Sequence, residues 1–316
     1  MVAPLTKMML ASLLSGAAAF SAIPPSQMKA RVSISALSAT AEDAIGYFDL
    51  TQKATVDAIA AAIPDLEVKP DLSWSSATVA GQAASLDGRD APGPANIAWL
   101  SSLCVSSKLS ALTIFNGPLN DVPHLLSRCF VRDDGNLQFD LDFRPRAYGA
   151  YEMRDAEGNY PGPETLGRDA FTYSGNRKDF DSKFGTEEVA AFLQSTVASL
   201  EGASPNPVPP SELDLLTSGP LKVSVVMPLT DGNVQTVAAA RQQAANYWLS
   251  WATDGGHEHR PGAPVNSQYV YDTKFRQNCY GGLLPVYSEL FGGGDGATIT
   301  AADSGPLDEA YVGGGS

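Results

Sequence analysis

Between residues 111 and 143 three β-type runs follow one another with only short turns between them, and that spacing restricts the topology more than any other feature of the chain. Ala111-Leu112-Thr113-Ile114-Phe115 stops at the turn signal Asn116-Gly117-Pro118. The runs Val122 to Arg132 and Asn136 to Phe143 bracket Asp133-Asp134-Gly135, a good hairpin turn. Parallel neighbours need a crossover of about a dozen residues or more. These connections are too short for one, so the three runs predict an antiparallel meander. A fourth run, Leu221 to Met227, closed by Pro228, extends the β content toward the C-terminal half.

Helical patterns lie before and after the meander. Ala44, Ile45, Phe48, Leu50, Val56, Ile59 and Ile63 recur at helical spacing over Ala41 to Ile63, and Pro64 ends the run. Thr186 is a natural N-cap for a helix to Leu200, with Glu187 and Glu188 in its first turn and an apolar stripe of Val189, Phe192, Leu193 and Val197. Asn233 to Trp251 is another long helical pattern. Residues 65–95 are rich in Ser, Ala, Gly and Pro and read mostly as loop, while Ile97 to Leu112 reads as helical or mixed. Residues 144–185 read as a long irregular excursion. Tyr271 to Phe291 starts polar and becomes helical from Leu283. Strands in the middle and helices on both sides predict an α/β fold, an α/β/α sandwich with a central antiparallel sheet flanked by helices. No regular β-α-β alternation and no GxGxxG after a strand is found, which argues against a dinucleotide fold.

The N-terminus reads as targeting sequence. Residues 1–20 run from Lys7 through an apolar stretch, Met8 to Leu14, to small residues, the shape of a cleaved signal peptide. Residues 21–40 are rich in Ser and Ala, carry Lys29 and Arg31 and lack acids, as transit segments do. The junction Ala18-Ala19-Phe20-Ser21-Ala22-Ile23-Pro24 resembles that of bipartite plastid leaders in algae with secondary red plastids; a plain secretory signal stays open. The expected organisation is therefore signal 1–20, transit segment 21–40, one domain over 41–292 and a flexible glycine-rich tail over 293–316, with the chloroplast stroma as destination. Loss of Lys7, Lys29 and Arg31 with the leader takes the basic residues from 21 to 18 against 35 acidic ones, and the formal charge from −14 to −17. Such a charge repels phosphate backbones and argues against a nucleic-acid partner. After the leader no stretch approaches the ~20 apolar residues of a membrane helix, so no integral membrane segment is expected. Cys104, Cys129 and Cys279 form no CxxC pair, and His257-Glu258-His259 has neither HExxH spacing nor a helical setting. No metal site is expected.

The stretches Asp121-Val122-Pro123-His124-Leu125-Leu126 and Asp140-Leu141-Asp142-Phe143-Arg144-Pro145-Arg146 resemble, in order and spacing, paired strands of the red chlorophyll catabolite reductase and ferredoxin-dependent bilin reductase superfamily. Ser218 to Pro228 resembles its late central strand, Gln242 to Trp251 the following helix, and Tyr271 to Asn278, running into Leu290-Phe291-Gly292, its final helix region. The resemblance implies an open-chain tetrapyrrole substrate, red chlorophyll catabolite or a bilin, held between sheet and C-terminal helices. It further implies single electrons from reduced ferredoxin, no bound cofactor, and protons supplied by the protein. The runner-up is a non-catalytic tetrapyrrole-binding or photosystem-associated protein on the same fold.

Residue by residue, Asp140 and Asp142 share one face of a strand whose other face is Phe139, Leu141 and Phe143. A carboxylate facing a largely apolar pocket has a raised pKa and can donate protons near neutrality. Asp140 and Asp142, with His124, are the catalytic candidates; a solvated strand face is the alternative. Arg128 stands where the resemblance implies a glutamate acting in proton supply, and Arg cannot donate a proton, so it is assigned to substrate. The implied late aspartate falls near Asn278-Cys279, and neither is an equivalent acid. Arg144, Arg146, Lys274 and Arg276 cluster in an acidic chain and suit ligand propionates or, alternatively, a ferredoxin contact. With Arg128 and Asn278 they complete the substrate-binding set.

Overall fold

The computed structural model describes residues 39–146, 183–208, 219–254 and 265–305. Residues 1–38 of the expected leader, most of the expected excursion over 144–185 (residues 147–182), residues 209–218, the His257-Glu258-His259 stretch and residues 306–316 lie outside them. Nine strands form one sheet in which every described pairing is antiparallel: β1 (Glu67–Val68), β2 (Trp74–Val79), β3 (Gln82–Ala91), β4 (Ile97–Val105), β5 (Leu109–Asn116), β6 (His124–Val131), β7 (Asn136–Arg144), β8 (Ser204–Pro205) and β9 (Lys222–Pro228). Their spatial order is β1-β3-β4-β5-β6-β7-β9-β8, with β2 also paired to β3. The expected meander is present as β5-β6-β7. Gly135, at φ 79°, makes the tight turn between β6 and β7, and the Asp134 side chain accepts from the Asn136 N–H at 3.0 Å.

Two stretches differ from the sequence reading. Residues 65–95 hold the hairpin β2–β3 rather than loop. Its two-residue turn, Ala80-Gly81, has positive φ at both positions (48° and 77°), which matches the twist of the flanking strands. The low β-propensity of its Ser, Ala and Asp residues hid it. Residues 97–112 belong to β4 and β5, not to a helix. Strands covered on both faces are apolar without alternation, and periodicity cannot tell them from buried helix. All eight residues of β5 are indeed buried.

Three helices cover one face: α1 (Ala41–Ala62), α2 (Glu187–Ser199) and α3 (Asp231–Thr253). Each starts at a threonine N-cap, Thr40, Thr186 and Thr230, whose side chain accepts a backbone N–H of the first turn. Phe48, Val56 and Ile59 of α1 and Val237, Ala244 and Trp248 of α3 pack against Leu125, Phe139, Leu141 and Phe143 of the sheet. This side also buries Arg241, which donates to Ser127 Oγ at 3.0 Å, to Ser110 Oγ at 2.9 Å and to Gln52 Oε1.

The other face is covered by α4 (Val265–Phe291) and α5 (Gly293–Ser304), through Tyr287, Phe291, Ile299 and Ala302 against Leu86, Leu103, Leu109, Ala111 and Phe130. The sandwich is thus the α/β/α arrangement expected. Two boundaries change: helix begins at Val265 rather than Leu283, and the expected flexible tail is helix as far as Ser304. Glycine has the lowest helix propensity after proline, so Gly293, Gly294 and Gly296 disguised α5. Gly296 is required by packing. A Cβ there would stand 2.5 Å from the Ser288 Cα and 2.7 Å from the Tyr287 carbonyl carbon, both backbone atoms of α4. Gly296→Ala is expected to push the two helices apart and to lower stability by about 1–3 kcal/mol in thermal or urea unfolding. Among the described residues no helix is long and apolar enough to cross a membrane.

Candidate functional site

Strand pairing places residues of three neighbouring strands side by side on the face that α4 and α5 cover. Arg128 of β6 is paired with Asp140 of β7, and Asp140 with Ser224 of β9. The next row is Leu126, Asp142 and Lys222, and the row after it begins with His124 and Arg144. Between these rows and α4 lies a cleft of about 470 Å³, within the size range of small-molecule sites. Its sheet wall includes Arg128, Gln138, Asp140, Asp142, Arg144 and Ser224. Asn278, Cys279, Leu283 and Val286 of α4 face them.

The two aspartates differ in their partners. Asp140 is half-buried; it accepts from Ser224 Oγ at 2.5 Å and from Gln138 Nε2 at 2.7 Å. Burial pushes its pKa above the ordinary carboxylate value, and the two hydrogen bonds only partly oppose that. Asp142 is nearly covered and meets the Arg144 guanidinium at 2.8 Å. Arg144 lies over the Phe275 ring, 5.5 Å from its centroid.

Arg128 is held from the far side. Its Nε donates to Asp303 Oδ2 at 2.7 Å and its Nη2 to Thr113 Oγ1 at 3.3 Å. Asp303, wholly buried near the end of α5, also accepts from Tyr287 Oη at 2.7 Å and from Thr113 Oγ1. Burial alone would raise the Asp303 pKa, but the Arg128 charge and these donors hold it below the usual value. Burial and the neighbouring Asp303 charge push the Tyr287 hydroxyl well up, so it stays a donor.

His124 shares the cleft's sheet face but lies beneath α4, fully buried, stacked on Phe275 and edge-on to Phe115. Its Nδ1 accepts from the Asn116 N–H at 3.0 Å, which puts the proton on Nε2, 3.5 Å from Asp272 Oδ1 and too far for a good hydrogen bond. Arg146, 0 % exposed, donates to both Asp272 oxygens, to Asn120 and to the Gly117 carbonyl. Gln268 Nε2 donates to Asp272 Oδ1 at 3.0 Å. This cluster ties the β5–β6 connection to α4.

Burial, with the Arg146 charge reinforcing it against Asp272, lowers the His124 pKa to about 4. The unfolded chain takes up this proton as pH falls through about 6.5, whereas the folded chain resists until about 4. The associated stability is fully present above pH ~6.5 and is lost toward pH 4, by about 3 kcal/mol. Unfolding titrations of His124→Phe should lack that portion of the acid slope.

The cleft therefore brings together Asp140, Asp142, Arg128, Arg144 and Asn278 of the residues singled out from the sequence. His124 and Arg146 belong to the buried cluster beside it. Arg276 is also buried, over the Phe115 ring, and half-buried Lys274 is not part of the lining. The sequence reading missed Ser224 and Lys222, whose period-two spacing in the expected strand 221–227 puts them on one face. It also missed Asp303 and Tyr287, for which no local signal exists. Among the described residues no group of three or more His, Cys, Asp or Glu side chains could hold a metal ion.

The chain matches no family model, and no curated protein matches it. It is similar in fold to phytochromobilin synthase from tomato, solved in complex with biliverdin. The TM-score is 0.54 at 13 % identity, over 81 % of this chain and 82 % of that one.

Proposed function

We propose that the chain binds an open-chain tetrapyrrole in the cleft between β6-β7-β9 and α4 and reduces it, with Asp140 as proton donor. The carrying observation is the environment of Asp140. It is a half-buried carboxyl with a raised pKa, open to a cleft of small-molecule size, on the fold shared with a biliverdin-bound protein. Saturating one double bond takes two electrons and two protons. The electrons are assigned to an external one-electron donor, for which reduced ferredoxin is the choice that the sequence resemblance suggests. Asp140 gives one proton after the first electron, regains it from solvent and gives the second after the second electron, while Ser224 and Gln138 keep its carboxyl aimed. Asp142 and Arg144, paired with each other, border the ligand with Asn278. Red chlorophyll catabolite and the bilins remain the candidate substrates, and the plastid stroma, where ferredoxin is found, the compartment.

One observation favours the second reading, a pigment-binding protein without turnover. Arg128, in the row of Asp140, is locked to Asp303 and supplies no proton. Anaerobic incubation with reduced ferredoxin and biliverdin or red chlorophyll catabolite separates the two. The enzyme bleaches or shifts the pigment spectrum catalytically, and the binder shifts it once, stoichiometrically. No spectral change with either pigment would sink both.

A further inference from the structure

The wall that α4 presents to the cleft differs in kind from the sheet wall. Every charged residue of the lining belongs to the sheet, and α4 contributes none. Its cleft face is Asn278, Cys279, Gly282, Leu283 and Val286, which recur at helical spacing. Gly282 is a gap in that face. It stands inside a helix, where glycine is disfavoured. A Cβ there would meet no heavy atom within 4 Å among the described residues beyond its chain neighbours and the backbone of its own helix. Packing within the protein therefore does not require the gap, in contrast to Gly296 of α5. Val286, one turn further on, is 44 % exposed, and Val208, which borders the cleft from the chain leaving β8, is 60 % exposed. Exposed hydrophobics scattered singly call for no explanation, but these two border one cavity, beside the gap.

We infer that Gly282 is the seat of an outer pyrrole ring of the bound tetrapyrrole. The flat ring lies on the bare backbone of α4, and its alkyl-bearing edge is held by Leu283 and Val286 on one side and by Val208 on the other. The inference rests on the tetrapyrrole reading above and adds an orientation to it, with the alkyl edge toward the mouth and the polar core toward the sheet. A planar ring needs a surface without a projecting side chain to reach van der Waals contact. Covering Val286 and Val208 with alkyl groups removes apolar surface from water on both partners. The reverse orientation would press alkyl groups on Asp142 and Arg144 and desolvate them without a polar replacement. Pockets leave about 10–30 % of a drug-sized ligand uncovered, so part of a four-ring pigment remains at the mouth, where these residues are.

Absorption titration of the full-length protein tests this, with biliverdin or red chlorophyll catabolite, whichever the wild type binds. Gly282→Leu fills the gap. Its thermal midpoint should match or exceed that of the wild type, because leucine favours helix and enters open space. Pigment affinity should fall by roughly 10- to 100-fold, the range for overfilling a packed contact. Gly281→Leu is the control: the neighbouring glycine also faces open space but lies outside the lining, so affinity should stay at the wild-type value. Val286→Thr keeps the size and adds a hydroxyl to an exposed position, so it should unfold as the wild type does and bind pigment about three- to tenfold more weakly. Should Gly282→Leu destabilise the fold, Val286→Thr decides alone. Wild-type affinity in Gly282→Leu or in Val286→Thr, or an equal loss in Gly281→Leu, overturns the inference and leaves the tetrapyrrole reading intact. A wild type that binds neither pigment overturns that reading and the inference together.

Discussion

Replacing Asp272 by Ala should cost about 3–5 kcal/mol of stability, the usual penalty for stranding one member of a buried ion pair. Arg146 has no exposure, and its Nε and Nη2 face Asp272. A guanidinium cannot shed its proton to escape a low-dielectric site. Removal of Asp272 also takes away the acceptor of Gln268 and the group facing His124 Nε2. Against a total stability of about 5–15 kcal/mol for a domain, that is a large fraction, and denaturant unfolding should show it as a much lower midpoint. The converse substitution, Arg146→Ala, leaves Asp272 able to neutralise itself by taking a proton, so its electrostatic penalty should be smaller. Arg146 lies outside the cleft lining, so pigment affinity of whatever fraction of Arg146→Ala folds should stay close to wild type. A selective loss of affinity at unchanged stability would instead make Arg146 a ligand residue.

Asp140→Asn should keep pigment binding and lower turnover with reduced ferredoxin by roughly 10²-fold or more, the scale for losing a general acid. The amide is nearly the same size; its oxygen can accept from Gln138 while its NH2 donates to the Ser224 hydroxyl, so the cleft should keep its shape. Ser224→Ala provides a graded companion. The Ser224 hydroxyl favours the ionised form of Asp140, so its removal should move the pH at which the donor loses its proton upward. Normal turnover by Asp140→Asn, measured anaerobically with single-turnover controls, would reduce Asp140 to a polar residue of a strand.

What could be read without coordinates followed from short-range physics. The Thr186 cap, the 3.6-residue stripes of α1, α2 and α3, and the Asp133-Asp134-Gly135 turn are local, and each is present in the fold. Alternation along β7 likewise put Asp140 and Asp142 opposite Phe139, Leu141 and Phe143, and the structure turns the first pair to a cleft and the second set to the core. The basic set was legible as composition only. A list of cations does not say which are consumed by partners, and Arg146 turned out to be saturated by Asp272 and the Asn120 and Gly117 backbone oxygens.

Tertiary structure decided the rest. The β2–β3 hairpin has weak intrinsic preference and exists because β4 offers an edge to pair with. Helix α5 has three glycines that oppose helix formation. It holds because Gly296 lets it approach α4 to backbone contact and because its buried Asp303 finds Arg128, 175 positions earlier in the chain. By itself the sequence determined where helices cap, where a hairpin turns and which strand residues share a face, since those depend on neighbours within a few positions. Only the folded chain decided which charges are neutralised and which remain open to a ligand, because that depends on partners brought together by packing from opposite ends of the molecule.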